Sequence, residues 1–520
     1  MKQELTERER KLFIQMPAVR AVLTLSVPTI ISQVIAVIYN LADTYYVGRT
    51  GDPRMVAAIT VCMPLMLLMA GMAGLFGIGG ASLIARCLGV NDFAKARKVS
   101  AFSVWGGVTV VILYSLVLII FREPVLRLLG AMDDMIDYAA SYMFWVCVIG
   151  GVFMLLNPLL ANLVRSEGAA REASIGVSMG GLLNMALDPL FMFVILPKGL
   201  EVTGAAVATL LSNVAASAYF VIYIIRRRKV SVLSLNPRDV AFTGRIPLDV
   251  ITIGLPSFIM TMMGSVSSAV ANNLMSPLGS AAISGMGIAK RTNMLSFRVS
   301  TGITQGTLPL IAFNHSAQNY KRMKSAITGA ASIAVGFATL CMIVSLIFGH
   351  VFVRFFIDDA DTIRYGSRFI RLVCSAMPLA SISMTAMMLF QAAEKKVEAM
   401  FMSIMRKGIL DIPLMVLFNH LWPVRRRRFD PDRGRIVRRR RGHTGHRLFQ
   451  KIVPLVGERV PRPGIGAAFR ALLIKTSSTY IPSGNSLPLS RQAVLCNSCK
   501  ICRLKILRMR RGAYFRRLVR

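Results

Sequence analysis

The chain is short of charge. Of its 520 residues only 17% are Asp, Glu, Lys or Arg, whereas 54% are hydrophobic and the mean hydropathy is +0.57. A soluble protein of this length needs more charge to cover its surface, so the bulk of the chain belongs in lipid. No GxxxxGK[ST] stretch occurs, which removes the common phosphate-binding loop. Histidine is scarce, and His315, His350 and His420 stand isolated; no Ser-His-Asp set or metal cluster stands out, so an enzyme finds little support. The eight cysteines are scattered and read as buried thiols rather than a disulfide framework. The opening MKQELTERERKLFIQMP is polar and does not read as a cleavable signal peptide. Aromatics are modest at 8%, but the 40 Gly and 31 Met are plentiful, and small residues let helices approach closely in lipid.

Acids are scarcer than bases, at 25 against 62, and the imbalance is uneven along the chain. From Val424 onward 26 Lys and Arg face three Asp and Glu, so this tail holds +23 of the net +37. Two composition regimes share one chain and need separate explanations.

Before the tail, apolar runs dominate. A bilayer span needs about 20 mostly apolar residues. By that test about eleven helices are predicted, near 21–47, 57–85, 99–121, 138–164, 173–196, 204–225, 249–275, 280–312, 326–349, 366–392 and 400–422. Unpaired backbone groups are not tolerated in hydrocarbon and these runs exceed barrel strands, so the chain is an all-α polytopic membrane protein. Basic residues collect in the even connections, as in Arg86, Lys95, Arg97 and Lys98, then Arg226 to Lys229, then Lys321, Arg322 and Lys324. Acids dilute the odd ones, as in Asp52, Glu123, Asp133 and Asp358, so the N-terminus is expected to be cytoplasmic. The expected organisation is an N-terminal lobe over 1–225, a linker over 226–247, a C-terminal lobe over 248–422 and a basic tail over 423–520.

The two halves resemble each other at an offset of about 227 residues. LSVPTIISQV at 25–34 lies over IGLPSFIMTM at 253–262, placing Pro28 on Pro256. GGASLIARCLGVNDFAKAR at 79–97 lies over GTLPLIAFNHSAQNYKRMK at 306–324, sharing Leu-Ile-Ala. Phe121, Arg127, Tyr138, Cys147 and Glu167 then fall on Phe348, Arg354, Tyr365, Cys374 and Glu394, and after a shift of four Asp188 falls on Asp411. Six helices per half would make the repeats parallel, related by an axis along the membrane normal.

An ionisable side chain within a span is a functional candidate by default, because leaving it unpaired in hydrocarbon costs several kcal/mol. Asp43 lies on the first helix in IYNLADTYYVG, with Tyr39 four residues earlier on the same face. Asp188 lies on the fifth in LLNMALDPLFMF, with Asn184 four residues earlier. Pro189 cannot donate to the Met185 carbonyl, so a kink is expected there that frees a polar backbone group. Two carboxylates with a phenol and an amide form a candidate cation site. The alternative for each acid is a residue facing water, more serious for Asp43, which stands close to Gly48. The repeat places Ala271 opposite Asp43, so ion chemistry should be concentrated in the first half; Asp411 matches Asp188 without an acidic companion and is a secondary candidate.

These residues resemble the multidrug and toxic compound extrusion (MATE) family, particularly its bacterial branch. PTIISQVIAVIYNLADTYYVG resembles its first helix, GASLIARCLGVNDFAKARK and PLIAFNHSAQNYKR its two repeated helix ends, and LLNMALDPLFMF its fifth helix, over about residues 15–422. The resemblance implies twelve helices in two six-helix lobes around a V-shaped cleft. It implies export of small cationic or amphipathic organic substrates in exchange for H+ or Na+, with no cofactor, no metal centre and no nucleic-acid partner, by a monomer in the plasma membrane. The family's N-lobe cation site carries over onto Tyr39, Asp43, Asn184 and Asp188, with Thr209 on the sixth helix as a tentative match. Pro28 and Pro189 are candidate hinges. Acids that some branches carry on the seventh helix are absent between Ile251 and Met275.

The resemblance also calls for a twelfth helix after Pro423, where VRRRRFDPDRGRIVRRRRGHTGHR cannot span a membrane. A basic tail that binds nucleic acid or anionic lipid is one reading. The preferred one is a one-nucleotide frameshift: read one base later, Val424 to Arg428 allows Tyr-Gly-Val-Val and DPDRG allows Thr-Pro-Ile-Ala, which resembles the start of the family's last helix. CNSCKIC at 496–502 is then an accidental spacing rather than a metal site. The functional expectation is a cation-coupled drug exporter working by alternating access. A lipid-linked precursor flippase of related fold and an inactive truncated copy are the alternatives.

Overall fold

The computed structural model describes residues 4–50, 52–241, 245–275, 280–356, 360–411, 413 and 415–417. The basic tail and the predicted twelfth helix lie outside the described residues. Among the described residues the regular structure is helical and no strand occurs. Helices α1 (Ala18–Gly48), α2 (Pro53–Gly89) and α3 (Phe93–Ile120) are followed by α4, a pair Ile136–Ile149 and Gly151–Ser166 bent by 50°. Next come α5 (Ala170–Leu190), α6 (Glu201–Arg226), α7 (Ile246–Met275), α8 (Ser280–Ser316) and α9 (Tyr320–Phe356). Helix α10 comprises Ala360–Ser375 and Met377–Ala392, and α11 (Lys396–Ile404) ends in a wide turn, Met405–Asp411.

Eight of these are long and apolar enough to cross a membrane, and the bent α4 makes a ninth. The sequence leads to eleven, and the difference has a physical reason. Helix α8 runs for 37 residues but carries Lys290, Arg291 and Arg298 among many Ser and Thr, which dilutes its hydropathy. The predicted span over 400–422 lies partly outside the described residues, which hold only its first part, α11 with its wide turn. The burial pattern is that of a protein in lipid. Leu113, Ile120, Leu340 and Ile347 on α3 and α9 are 57%, 69%, 57% and 67% exposed, while small and polar residues such as Ser26, Ser82, Ser103 and Thr307 are buried.

The repeat is visible in three dimensions. Asp92 Oδ1 caps α3 by accepting from Lys95 N at 3.0 Å, and Asn319 Oδ1 caps α9 by accepting from Arg322 N at 3.2 Å. The residue before each cap, Asn91 or Gln318, has a positive φ of 58° or 57°. Both pairs are one repeat offset apart, so the same turn chemistry ends α2 and α8. The halves meet through α1 on α8 and α2 on α7, contacts that the repeat interconverts. At this interface backbone approaches backbone: a Cβ added to Gly306 would stand 2.7 Å from the Leu25 carbonyl oxygen, and Gly254 faces the Leu75 carbonyl in the same way. Small residues permit this contact, and Ser26 and Thr307 add a buried hydroxyl pair at 3.2 Å.

Ion pairs gather at the end of the bundle where α1, α3, α5, α7 and α9 begin. Arg86 pairs with Glu394 across the halves, Lys396 with Asp249 at 2.7 Å, Arg97 with Asp239 at 2.8 Å and Arg8 with Glu172 at 2.5 Å. The expected linker is docked rather than free. Glu167 accepts from Ser231 Oγ at 2.8 Å and from Val232 N at 2.6 Å, and Val232 and Leu233 are buried. Before α1, Phe13 stacks on Phe313 of the other half at 4.8 Å, and Arg322 Nε donates to its carbonyl at 2.8 Å.

Candidate functional site

Helix α1 continues unbroken past Pro28 and places Tyr39 and Asp43 near its far end. The 3.6-residue turn puts both on one face, and both side chains are half-buried. That face meets α5 because α5 has no side chain at the crossing: a Cβ on Gly181 would lie 2.7 Å from Cδ1 of the Tyr39 ring. One turn beyond Gly181 come Asn184 and then Asp188, both buried. Pro189 lies inside α5, which continues past it into a more widely wound stretch, Phe191–Ile195, as part of one span.

Asn184 organises the polar cluster. Its Nδ2 donates to Asp188 Oδ1 at 3.0 Å and to Thr209 Oγ1 of α6 at 3.4 Å. The tentative Thr209 therefore joins the same cluster. Asp188 is fully buried, and its second oxygen, Oδ2, has no hydrogen-bond donor among the described residues. Asp43 and Tyr142 lie within Coulombic reach of Asp188, so the two acids predicted from distant segments share one environment. A buried carboxylate oxygen without a donor is costly, and a proton or a small cation bound there would relieve the cost. The atoms able to bind a cation here are carboxylate, hydroxyl and amide oxygens, a set suited to H+ or Na+. Among the described residues no group of three His, Cys, Asp or Glu could hold a metal ion.

Three further residues complete the surroundings. Tyr142 on α4 is buried, donates its hydroxyl to Met66 Sδ at 3.8 Å and lies within Coulombic reach of Asp43 and Asp188. Asn157 Nδ2 on α4 donates to Asn213 Oδ1 on α6 at 3.1 Å, and Asn213 Nδ2 donates back to the Thr209 carbonyl at 2.9 Å. The sequence signal for both amides was the one used for the acids, a lone polar residue in an apolar helix. Asp411 stands elsewhere. It accepts from Ser267 Oγ of α7 at 2.7 Å, which ties it to the C-terminal half, and Ala271 opposite Asp43 is buried.

Two repeated helical halves in lipid, with paired acids held on apolar helices of one half, define a membrane transporter. The particular family follows from comparison with known proteins: the chain belongs to the MatE family, whose model matches residues 28–190 and 256–417, one stretch in each half. The multidrug export protein MepA of Staphylococcus saprophyticus is 30% identical over 397 residues, covering 76% of this chain and 86% of that protein. MepA of Staphylococcus aureus (strain MSSA476) is 30% identical over 411 residues, covering 79% and 89%. A crystal structure of MATE in the straight conformation has a TM-score of 0.74 at 23% identity, covering 80% of this chain and 92% of that one. The outward-facing conformation of a multidrug resistance MATE family transporter gives 0.74 at 22% identity, covering 80% and 91%. At these identities the likeness to solved structures is one of fold. Membership in a family of transporters also means that the chain is not an enzyme.

Proposed function

We propose that this protein exports small cationic or amphipathic organic molecules across the plasma membrane by antiport against H+ or Na+. The observation that carries the reading is the buried Asp188 carboxylate, with one oxygen bound by Asn184 and the other without a donor, beside Asp43 from a different helix. Two acids in one low-dielectric site cannot both stay charged cheaply, so binding of a proton or Na+ is favoured. Tyr39, Asn184 and Thr209 orient and ligate, and Pro28 and Pro189 supply positions where α1 and α5 lack a backbone bond and bend at low cost. The two-half architecture then works by alternating access, one half rocking against the other. The proposed topology has the N-terminus, the ion-pair end and the linker in the cytoplasm, following the basic residues of the even connections. We treat the acting unit as a monomer. The names of the MepA relatives support the drug-export reading.

The flippase alternative needs several cations free to bind an anionic headgroup. Of Lys290, Arg291 and Arg298, Arg298 Nη1 is bonded to Gln33 Oε1 at 3.4 Å and Lys290 also has a partner, which leaves Arg291 alone where several are needed. The reading is tested with Asp43→Asn in cells loaded with ethidium, with and without a proton or sodium gradient. Gradient-linked efflux should disappear while membrane insertion persists; unchanged efflux rejects the assignment. Resequencing of the gene around Val424 tests the frameshift: an upstream frame without a family-like shifted continuation would end that hypothesis, and a corrected chain should transport better than this one.

A further inference from the structure

The cation site occupies the far end of the α1–α5 contact. Nearer the ion-pair end the same two helices leave between them a groove of about 700 Å³ with an almost wholly apolar lining. Pro28 and Ile31 of α1 form one wall, and Ile175, Met179 and Leu182 on one face of α5 form the other. Ile31, Ile175 and Leu182 are 54%, 46% and 49% exposed, so the groove is open along these residues rather than enclosed.

Arg171, Ser174 and Ser178 interrupt the otherwise apolar lining, and the first two mark its polar end. Arg171 lines the groove at the first turn of α5, is exposed and has no acidic partner among the described residues. The adjacent acid is already engaged, since Glu172 accepts two bonds from Arg8, at 2.5 and 2.9 Å. One turn up, Ser174 also lines the groove; it is 6% exposed and its Oγ has no hydrogen-bond partner among the described residues. A buried hydroxyl left unmatched beside an unpaired guanidinium calls for a ligand with acceptor oxygens and negative charge. From Arg171 to Leu183, the last lining residue, α5 rises about 18 Å, against about 15 Å for half the hydrocarbon core of a bilayer.

The geometry points to a lipid site: the α1–α5 groove takes one acyl chain of an anionic phospholipid from the leaflet on the N-terminal side, with its phosphate on Arg171. Ser174 Oγ–H donates to a phosphate or ester oxygen, and the tail runs along Ile175, Met179 and Leu182 to Ile31 near the bilayer midplane. Charge selects the occupant. A cationic amphiphile, the proposed cargo, would meet Arg171 as a like charge, and a zwitterionic headgroup would bring its ammonium against the same guanidinium. Only the name of the leaflet, cytoplasmic, rests on the topology proposed above.

The test is native mass spectrometry of the full detergent-purified chain, titrated with phosphatidylglycerol and with phosphatidylcholine of the same tails. Wild type should retain phosphatidylglycerol preferentially, and Arg171→Gln should weaken that retention about tenfold, the size expected for loss of a charge-assisted hydrogen bond. Ser178→Trp, which fills the groove from its α5 wall, should remove bound lipid of either class while leaving the protein folded by melting. Lys321→Gln, a basic residue elsewhere at the same end, should change nothing. Equal retention by wild type and Arg171→Gln overturns the proposal, as does an equal loss with Lys321→Gln. Displacement of the lipid by tetraphenylphosphonium would assign the groove to cargo and overturn it too. None of these readouts uses transport, so failure here leaves the antiport reading standing, and failure of antiport leaves the lipid site.

Discussion

Asp188→Asn separates ion coupling from folding more cleanly than any other substitution in this protein. The change keeps the shape of the side chain, and the Asn184 Nδ2 bond at 3.0 Å can pass to the new amide oxygen. What it removes is, among the described residues, the one buried carboxylate with an oxygen lacking a donor. Removing an uncompensated buried charge does not weaken packing, so thermal melting should not fall. Transport should respond very differently. One proton exchanged for one monovalent cation is electroneutral, so a gradient of one pH unit supplies about 1.4 kcal/mol and an accumulation ratio of about tenfold. Exchange of two protons at zero potential would raise that ratio to about a hundredfold. The assay is ethidium accumulation in proteoliposomes with the potential clamped at zero and either one pH unit or a Na+ gradient of about tenfold imposed, the two supplying the same free energy per ion. Wild type should approach one of these ratios, and Asp188→Asn should give no accumulation above leak. A variant that still concentrates ethidium about tenfold would show that Asp188 does not carry the coupling proton, whatever its burial.

Other expectations follow from single contacts. Gly181→Val places a side chain where Cδ1 of Tyr39 already lies 2.7 Å from an added Cβ, so the ring must move off α5; coupled efflux should drop at least about tenfold with normal membrane levels, and full activity would remove Tyr39 from the site. Asp411→Asn changes a residue held by Ser267 in the C-terminal half, so it should leave the ion stoichiometry of transport unaltered; a changed stoichiometry would move part of the coupling to that half. Burial alone would raise the Asp239 carboxyl, but the Ser234 hydroxyl at 2.5 Å and the Arg97 guanidinium at 2.8 Å hold it below the ordinary carboxylate range. The Asp239 contribution to linker docking is therefore present in full above the ordinary Asp value of about 4 and is lost as pH falls through the lowered one; hydrogen exchange at Ser234 and Asn236, tied to Asp239 through the Ser234 hydroxyl, should rise in that acid window, and Asp239→Asn should abolish the step.

Hydrophobic run length determined most of the architecture from the sequence alone. A backbone in hydrocarbon must satisfy its own hydrogen bonds, so each apolar run of about 20 residues had to be a helix, with no competing structure. The repeat was equally legible, because Pro28 over Pro256 and the cap pair Asp92 and Asn319 encode the same local geometry twice. The acids declared themselves through their cost in lipid. Where charge interrupts the run the rule loses force: α8, with Lys290, Arg291 and Arg298, is a helix of 37 residues that falls short of the hydropathy of a span. Tertiary structure alone decided which polar groups meet. Asp188 and Thr209 come from different helices and are joined through Asn184, and Tyr39, one turn before Asp43, crosses α5 only because Gly181 leaves room, a van der Waals condition that no spacing in the chain expresses. The same holds for the docked linker and the lateral groove with Arg171 at its mouth: each is made by the gap or contact between helices, whose distances arise only once the whole bundle has packed.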